Sequence, residues 1–524
     1  MKYFLIQNRL FIIILLLWIV LFSGIRTIQH LSFGTNACDL SLFDYGMYYT
    51  LKGDIMADPF HKYGFGRWYD IDGELKFEPG RIKSWESHFS IHFTPIIFFI
   101  VPFYLFFEGP LFLLYLQVLL VGLSAVPLYL IAKNVFSEKY IPLLITLIYL
   151  FFRHLLIGLM HDIHMEMLFP FFLFSAFYFI AVKKRPSLYF IFISLVLLIK
   201  EDMAFYIFFF GLFIAIKLKE KVIGAVTSAV SFICFVLVMQ FIIPYFGELE
   251  GMTGAYVYSY WGDGVTQMIV YILTHPARIF QGVDMHVFLK KFLNLTAPLL
   301  FVPFLSSFSL LIIPPVFIAL LSKIPQNYTF GIHYSAKVLP FLFLALIYGL
   351  QAAKKFLDNW DIPLIRNPFK ILMVLLLVVN LANSNIWRII EPSRYAAVKD
   401  YRMIKHTLAQ VPPDASIAAL SALIPHIPKR KNIYMLPEID DAEYIIFHSG
   451  INLWPYRADE FSKFMQRLEN EKTYICVFQK GEFVIYKRLE KLNLSQNRKQ
   501  VPNKFSTCPQ LLWPRSGGVI PDPS

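Results

Sequence analysis

Five short polar clusters stand out in this 524-residue chain, in which only 16% of residues are charged. The first is Cys38-Asp39-Leu40-Ser41-Leu42-Phe43-Asp44, followed by Tyr45-Gly46-Met47-Tyr48. A carboxylate such as Asp44 or Asp39 can take a proton from an acceptor hydroxyl or hold a cation. The plainer use of such an Asp is to start a helix. The second cluster, Glu86-Ser87-His88-Phe89-Ser90-Ile91-His92, sets His88 and His92 four residues apart. One helix face would make them a ligand pair. The third is His161-Asp162-Ile163-His164-Met165-Glu166. Here His161, His164 and Glu166 can ligate a divalent cation (Mg, Mn or Zn) or orient a sugar. Their order is not that of the zinc proteases, so it names no single chemistry. The fourth is Lys200-Glu201-Asp202. Its lysine can meet a phosphate as a point charge, and its acids can bind a metal or an acceptor. The fifth is His333-Tyr334-Ser335-Ala336-Lys337, which Arg67 and Arg81 could complete as an anion pocket.

The elements that must position these groups follow from composition. The chain is 57% hydrophobic and 17% aromatic, whereas soluble domains carry about 25% charged residues. It has more apolar surface than a soluble fold can cover. The net charge of +12 falls beside apolar runs, as expected at the cytoplasmic side of a membrane. No basic, aromatic-interleaved patch is present, so nucleic acid is not an expected partner. The four cysteines form no CxxC pair and predict neither a zinc ribbon nor a disulfide framework. A single Cys476–Cys508 bridge remains open.

Leu10–Phe22 reads as an uncleaved first span with its N-terminus inside. A long outer loop, 24–90, follows. Pro95–Phe107 is short for a bilayer that needs about 20 residues and reads as a surface helix. Spans are expected at Leu111–Ala132, Ile141–Ile157, Met167–Val182, Val222–Ile243, Val338–Ala353 and around Ile371–Leu381. Ser187–Ile199 and Met203–Ile216 have basic residues at both outer ends, which predicts a hairpin of short helices with Lys200-Glu201-Asp202 at its tip. A second outer loop covers 244–296. Ala297–Leu321 is broken by four prolines and reads as re-entrant, which is tolerated where protein surrounds it. The fold class is thus a polytopic α-helical membrane protein of about 10–12 spans, broken ones included.

From about Glu391 the pattern changes to alternating strands at Ile417–Leu420, Ile433–Leu436, Tyr444–Phe447, Tyr474–Phe478 and Phe483–Tyr486. Helices are expected at Tyr395–Leu408 and Asp459–Leu468. The expected division is a membrane domain at 1–390, a small outer α/β domain at 391–490, and a disordered tail at 491–524. All five clusters then fall on the outer face of a multi-pass cytoplasmic-membrane protein.

Asp39–Asp44, His92-Phe93-Thr94-Pro95, His164-Met165-Glu166, Lys200-Glu201-Asp202, His333-Tyr334 and the later Val411–Ser416, Ile424-Pro425-His426, Arg430 and Leu436-Pro437-Glu438 carry a resemblance. In this order along residues 1–490 they resemble a prokaryotic family of predicted membrane proteins of unknown function. That family is similar in turn to the GT-C superfamily of membrane glycosyltransferases. The resemblance implies a GT-C-like fold with a long first outer loop, a polyprenyl-phosphate-linked sugar as donor, and a glycan, lipid or protein acceptor. Asp44-Tyr45-Gly46-Met47-Tyr48 is similar to the superfamily's Asp-x-x-x-Tyr stretch. That makes Asp44 the first and Asp39 the second choice of catalytic carboxylate. Tyr45 stands where that superfamily often has a second acid. In this reading Lys200, Glu201, Asp202, His92, Arg67, His333 and Lys337 bind substrate, and His164, Glu166 and His161 hold a metal.

Two other classes fit the same clusters. A secondary transporter or flippase also carries broken helices and charges at membrane depth, but its polar residues must form a path to both faces. A non-catalytic assembly protein would keep the fold without the reaction.

Overall fold

A computed structural model of the chain describes residues 8–60, 67–69, 75–77, 87–246, 261, 265–322, 325–359, 367–439, 441–471 and 473–489. The tail 491–524, Glu86, Arg81 and the Arg67 side chain lie outside the described residues. The chain forms two units. One comprises residues up to His30 and Cys38–Ala396. The other comprises Leu31–Ala37 and residues from Ala397 onward.

The first unit is helical. Its helix Arg9–Leu31 buries Phe11, Leu15, Trp18, Phe22 and Ile25. That spacing of three and four places them on one face. The other face, Ile13, Leu16, Leu17, Val20 and Leu21, is apolar yet exposed. A soluble surface does not leave such a stripe bare, whereas lipid tails solvate it at no cost. Helix Leu339–Leu357 is the opposite case. Every residue from Leu339 to Ile347 is buried, so the first half of this helix is enclosed by protein.

Among the described residues six helices are long and apolar enough to cross a membrane. They are Arg9–Leu31, Pro110–Val135, Met165–Val182, Lys221–Phe246, Leu339–Leu357 and the run that begins at Pro368. The pair Tyr140–Leu150 and Arg153–Met160, bent by 45°, makes a seventh. Pro186–Leu197, Met203–Lys217 and Ser307–Leu321 are apolar but shorter. Against the roughly 10–12 spans expected from sequence, the described residues hold six helices of spanning length, seven with the bent pair, and the three short apolar segments fall below that length.

The bend in Tyr140–Met160 is where sequence predicts one straight span. The broken turn frees carbonyls that must find donors. Trp18 Nε1 donates to Leu150 O at 3.1 Å, and Asn380 Nδ2 donates to Ile148 O at 2.7 Å. Residues 297–312 form three short 3-10 turns, with Leu300 and Phe301 in left-handed backbone at φ 50° and 56°. Here the prolines do break the helix as expected.

The second unit holds a five-stranded sheet. A separate two-stranded hairpin, β1 (Arg67–Tyr69) and β2 (Leu75–Phe77), precedes it in the chain. The sheet contains β3 (Ile417–Ala419), β4 (Ile433–Met435), β5 (Tyr444–His448), β6 (Tyr474–Lys480) and β7 (Phe483–Arg488), in the order β4-β3-β5-β7-β6. β4, β3 and β5 run parallel, and β7 and β6 are antiparallel additions. β3 is buried along its whole length, as a central parallel strand must be. Helices Tyr401–Leu408 and Ala458–Glu471 accompany the sheet. Ala37 N donates to Ser421 Oγ at 3.0 Å, tying segment 31–37 to this unit.

Candidate functional site

Asp39 sits on a π-helical turn, Ala37–Ser41, that leads into helix Leu42–Thr50. Such one-turn π insertions re-aim side chains and recur at functional sites. His161 and His164 lie where helix Arg153–Met160 has ended and the backbone is extended, before the 3-10 turn Met165–Leu168. His333 belongs to the 3-10 turn Ile332–Lys337 that opens helix Leu339–Leu357.

These three segments meet. Asp39 Oδ2 lies 3.1 Å from His161 Nε2, and Asp39 Oδ1 lies 3.2 Å from His164 Nε2. The His333 ring stacks on that of His164 with centroids 3.3 Å apart. Ligand atoms of His161, His164 and His333 all lie within 4.8 Å of one another. His164 and His333 are buried, while His161 and Asp39 keep about a quarter of their side chains exposed, 25% and 28%. The cluster therefore has a closed back and an open side.

Glu166 pairs with Lys200, with Lys200 Nζ 2.8 Å from Glu166 Oε1. Asp202 pairs with Lys337, whose ammonium also lies 5.6 Å from the Tyr334 ring centre. Glu201 accepts from Phe93 N at 3.0 Å and lies 2.8 Å from His92 Nδ1. The Lys200-Glu201-Asp202 turn thus sends its three side chains to three different segments. Ile96 N donates to Leu198 O at 2.8 Å and fastens the His92 segment to the same turn. His88 contacts the Phe43 ring edge-on and lies across from His92, with ring centres 5.8 Å apart.

Asp44 faces a different partner. It is buried and accepts from the Tyr104 hydroxyl. The two carboxylates of the first cluster, five residues apart, therefore serve separate surroundings. Asp39 faces the histidines.

Electrostatics follow the geometry. Burial raises the Asp39 carboxyl, but His164 and His161 outweigh it and hold it well below the usual carboxylate range. Burial lowers the His164 imidazole, and Asp39 more than reverses this, so the net direction is upward. Burial, reinforced by His164, pushes His333 well below the ordinary imidazole value. Lys200 is raised: burial opposes its charge, but Glu166, Glu201 and Asp202 together prevail.

Two positioning residues escape a reading of clusters alone. Gln117 lies inside the apolar helix Pro110–Leu123. Its Oε1 accepts from His164 N at 2.9 Å, and its Nε2 lies 3.3 Å from Leu159 O. Arg26, fully buried in helix Arg9–Leu31, donates to Met160 O at 2.7 Å, and Gln29 donates to the same oxygen at 2.9 Å. Together they satisfy the frayed end of helix Arg153–Met160 and hold the His161–His164 turn. A polar side chain at membrane depth is the signal that marks both.

Backbone strain marks the third segment. Ile332, directly before His333, has φ of 42°. A β-branched residue there costs about 1–3 kcal/mol, so its surroundings impose the conformation. Ser335 Oγ, donating to His154 O at 3.1 Å, is one of those constraints.

The family described as predicted membrane protein (DUF2079) matches residues 29–485. No protein of curated function matches the sequence.

Proposed function

The chain belongs to the predicted membrane protein family DUF2079, and within that bilayer setting we propose that it is a glycosyltransferase using a polyprenyl-phosphate-linked sugar. One observation carries the reading. Asp39, His161, His164 and His333, from three separate segments, converge beside the Glu166–Lys200 and Asp202–Lys337 pairs in a chain otherwise poor in charge. Buried charge in an apolar chain is expensive and marks function.

In the proposed reaction Asp39 takes the proton of an acceptor hydroxyl, on a glycan, lipid or protein. The hydroxyl oxygen attacks the anomeric carbon and inverts it. The bond from that carbon to the phosphate oxygen breaks, and polyprenyl phosphate leaves with the electron pair. Asp39 is placed for the task because its carboxylate, 28% exposed, faces the open side of the cluster. Each lysine has three N–H donors, so Lys200 and Lys337 can hold a carboxylate and still meet a phosphate oxygen. Such preorganised charge is usually the largest source of rate. The apolar exposed rings of Phe98, Phe99, Phe103, Phe106 and Phe107 suit contact with lipid close to the donor's entry. Basic residues at Lys183–Arg185, Lys217–Lys221 and Lys354-Lys355 favour an inside location for those loops, and hence an extracytoplasmic site.

The test is the purified chain in lipid nanodiscs with radiolabelled polyprenyl-phosphate sugars and a membrane extract as acceptor. Release of polyprenyl phosphate with label passing to acceptor is expected. Donor that remains intact across the panel, with the protein folded, overturns the assignment. Passage of intact donor across a sealed liposome would favour transport instead.

A further inference from the structure

We propose that His161, His164, His333 and Asp39 form a binding site for one divalent transition-metal ion of the zinc class. The first argument is the hydrogen-bond inventory of His164. Its Nδ1 lies 3.2 Å from the carbonyl oxygen of Asp162. A carbonyl only accepts, so Nδ1 carries the hydrogen. That turns the opposite nitrogen, Nε2, towards Asp39 Oδ1 at 3.2 Å. A cation ligated by Nε2 and by the carboxylate would occupy the position between them. A backbone carbonyl on the far nitrogen is also the usual way a metal-binding histidine is oriented.

His333 Nδ1 is buried and has no hydrogen-bond partner, on a side chain only 5% exposed. Such an atom costs free energy unless something meets it. His333 offers one ring nitrogen to the same cluster as His161 and His164.

The second argument is spacing. Zinc–nitrogen bonds of about 2.0–2.1 Å set ligand atoms of a tetrahedron about 3.3 Å apart. The Asp39 oxygens already lie 3.1 and 3.2 Å from two imidazole nitrogens. The three imidazole ligand atoms all lie within 4.8 Å of one another. Three imidazoles and one carboxylate select zinc, manganese, cobalt or nickel over magnesium or calcium, which prefer all-oxygen sites. Glu166, expected from sequence as a ligand, is engaged by Lys200. His333 and Asp39 supply the ligands that it does not.

A further point rests on the proposed transfer reaction. Among the carboxylates and lysines, Asp39, Glu166, Glu201 and Asp202 give four negative charges against the two of Lys200 and Lys337. A phosphate entering there needs added positive charge, which a divalent ion supplies. Ligation by one Asp39 oxygen leaves the other for the acceptor proton.

The experiment uses the full chain in nanodiscs, stripped with chelator and titrated with zinc or cobalt. One zinc per chain by elemental analysis is expected, with a visible absorption band when cobalt replaces it. The pair His164→Ala with His333→Ala should weaken binding tenfold or more. His333→Gln alone is a milder variant should the pair fail to fold, and it too should lose affinity. Gln117→Ala should weaken binding about 10–100-fold by releasing the His164 turn. His275→Gln, exposed and outside the cluster, should bind as the wild type. A wild-type chain that takes up no stoichiometric zinc, or a folded double variant that binds undiminished, overturns the site. Zinc bound without donor turnover would leave the site standing and remove the transferase. Turnover undiminished in metal-free protein would show the ion dispensable for transfer, with the titration alone deciding the site.

Discussion

Glu166 and Lys200 are joined at 2.8 Å with 4% and 11% of their side chains exposed, so removing either alone leaves the other buried and uncompensated. Glu166→Gln should cost about 3–5 kcal/mol of stability, and Glu166→Gln with Lys200→Met should recover much of it. Thermal unfolding in one detergent checks both. A single variant that melts with the wild type would mean that water reaches the pair. Glu201 gives a pH signature. Burial raises its carboxyl, but His92 outweighs burial and brings it from 4.5 to about 2. A carboxyl depressed on folding stabilises fully above its unfolded value and loses that contribution as pH falls through the folded one. The difference in melting temperature between wild type and Glu201→Gln should therefore shrink as pH falls from 4.5 towards 2. A constant difference over that window would contradict the pairing. At this scale the density of His161, His164 and Glu166 was legible, because polar residues are scarce around them. The arrival of His333, and the division of labour between Asp39 and Asp44, were not. Both depend on which segments the fold brings together and on a π turn that no local pattern announces.

Helix Met203–Lys217 packs along helix Lys221–Leu237 through two glycines. A Cβ at Gly211 would lie 2.5 Å from Ser228 Oγ and 2.8 Å from Gly224 O, and one at Gly224 would lie 2.5 Å from Gly211 O. Small residues let membrane helices approach this closely. Gly349 is tighter still, because the Val302 carbonyl oxygen presses on the space that a Cβ would need. Gly211→Ala and Gly349→Ala should each cost about 1–3 kcal/mol by overpacking. Gly24→Ala, where nothing lies within 4 Å, should not. Melting temperatures of the three variants in one detergent decide it; equal values would contradict the packing. The strands of the second unit were legible almost residue for residue, since short apolar runs bounded by turn residues are a local property. The break at Phe151-Phe152 was not. Its freed carbonyls are satisfied by Trp18 and Asn380, both remote in sequence, and an apolar run alone reads as one straight helix.

For the whole molecule, scarce charge and abundant apolar surface sufficed to read a multi-pass membrane protein, because bilayer thickness sets helix length. The number of spans was less legible, since short and bent apolar helices look alike in sequence. Sidedness rests on the basic loops. Single cysteines at Lys184 and Lys355, in a cysteine-free background, should react with an impermeant maleimide only after the membrane is opened. One at Glu460 should react in intact cells, and the reverse pattern would invert the topology. The central claim, that sugar transfer occurs at the carboxylate facing the histidines, is tested most directly by donor turnover in nanodiscs for wild type, Asp39→Asn and Asp44→Asn side by side. Loss of a positioned base costs about 10²–10⁴-fold, so the account predicts that loss for Asp39→Asn and a much smaller one for Asp44→Asn, with both variants folded. Full turnover by Asp39→Asn, with the loss falling on Asp44→Asn instead, would contradict it.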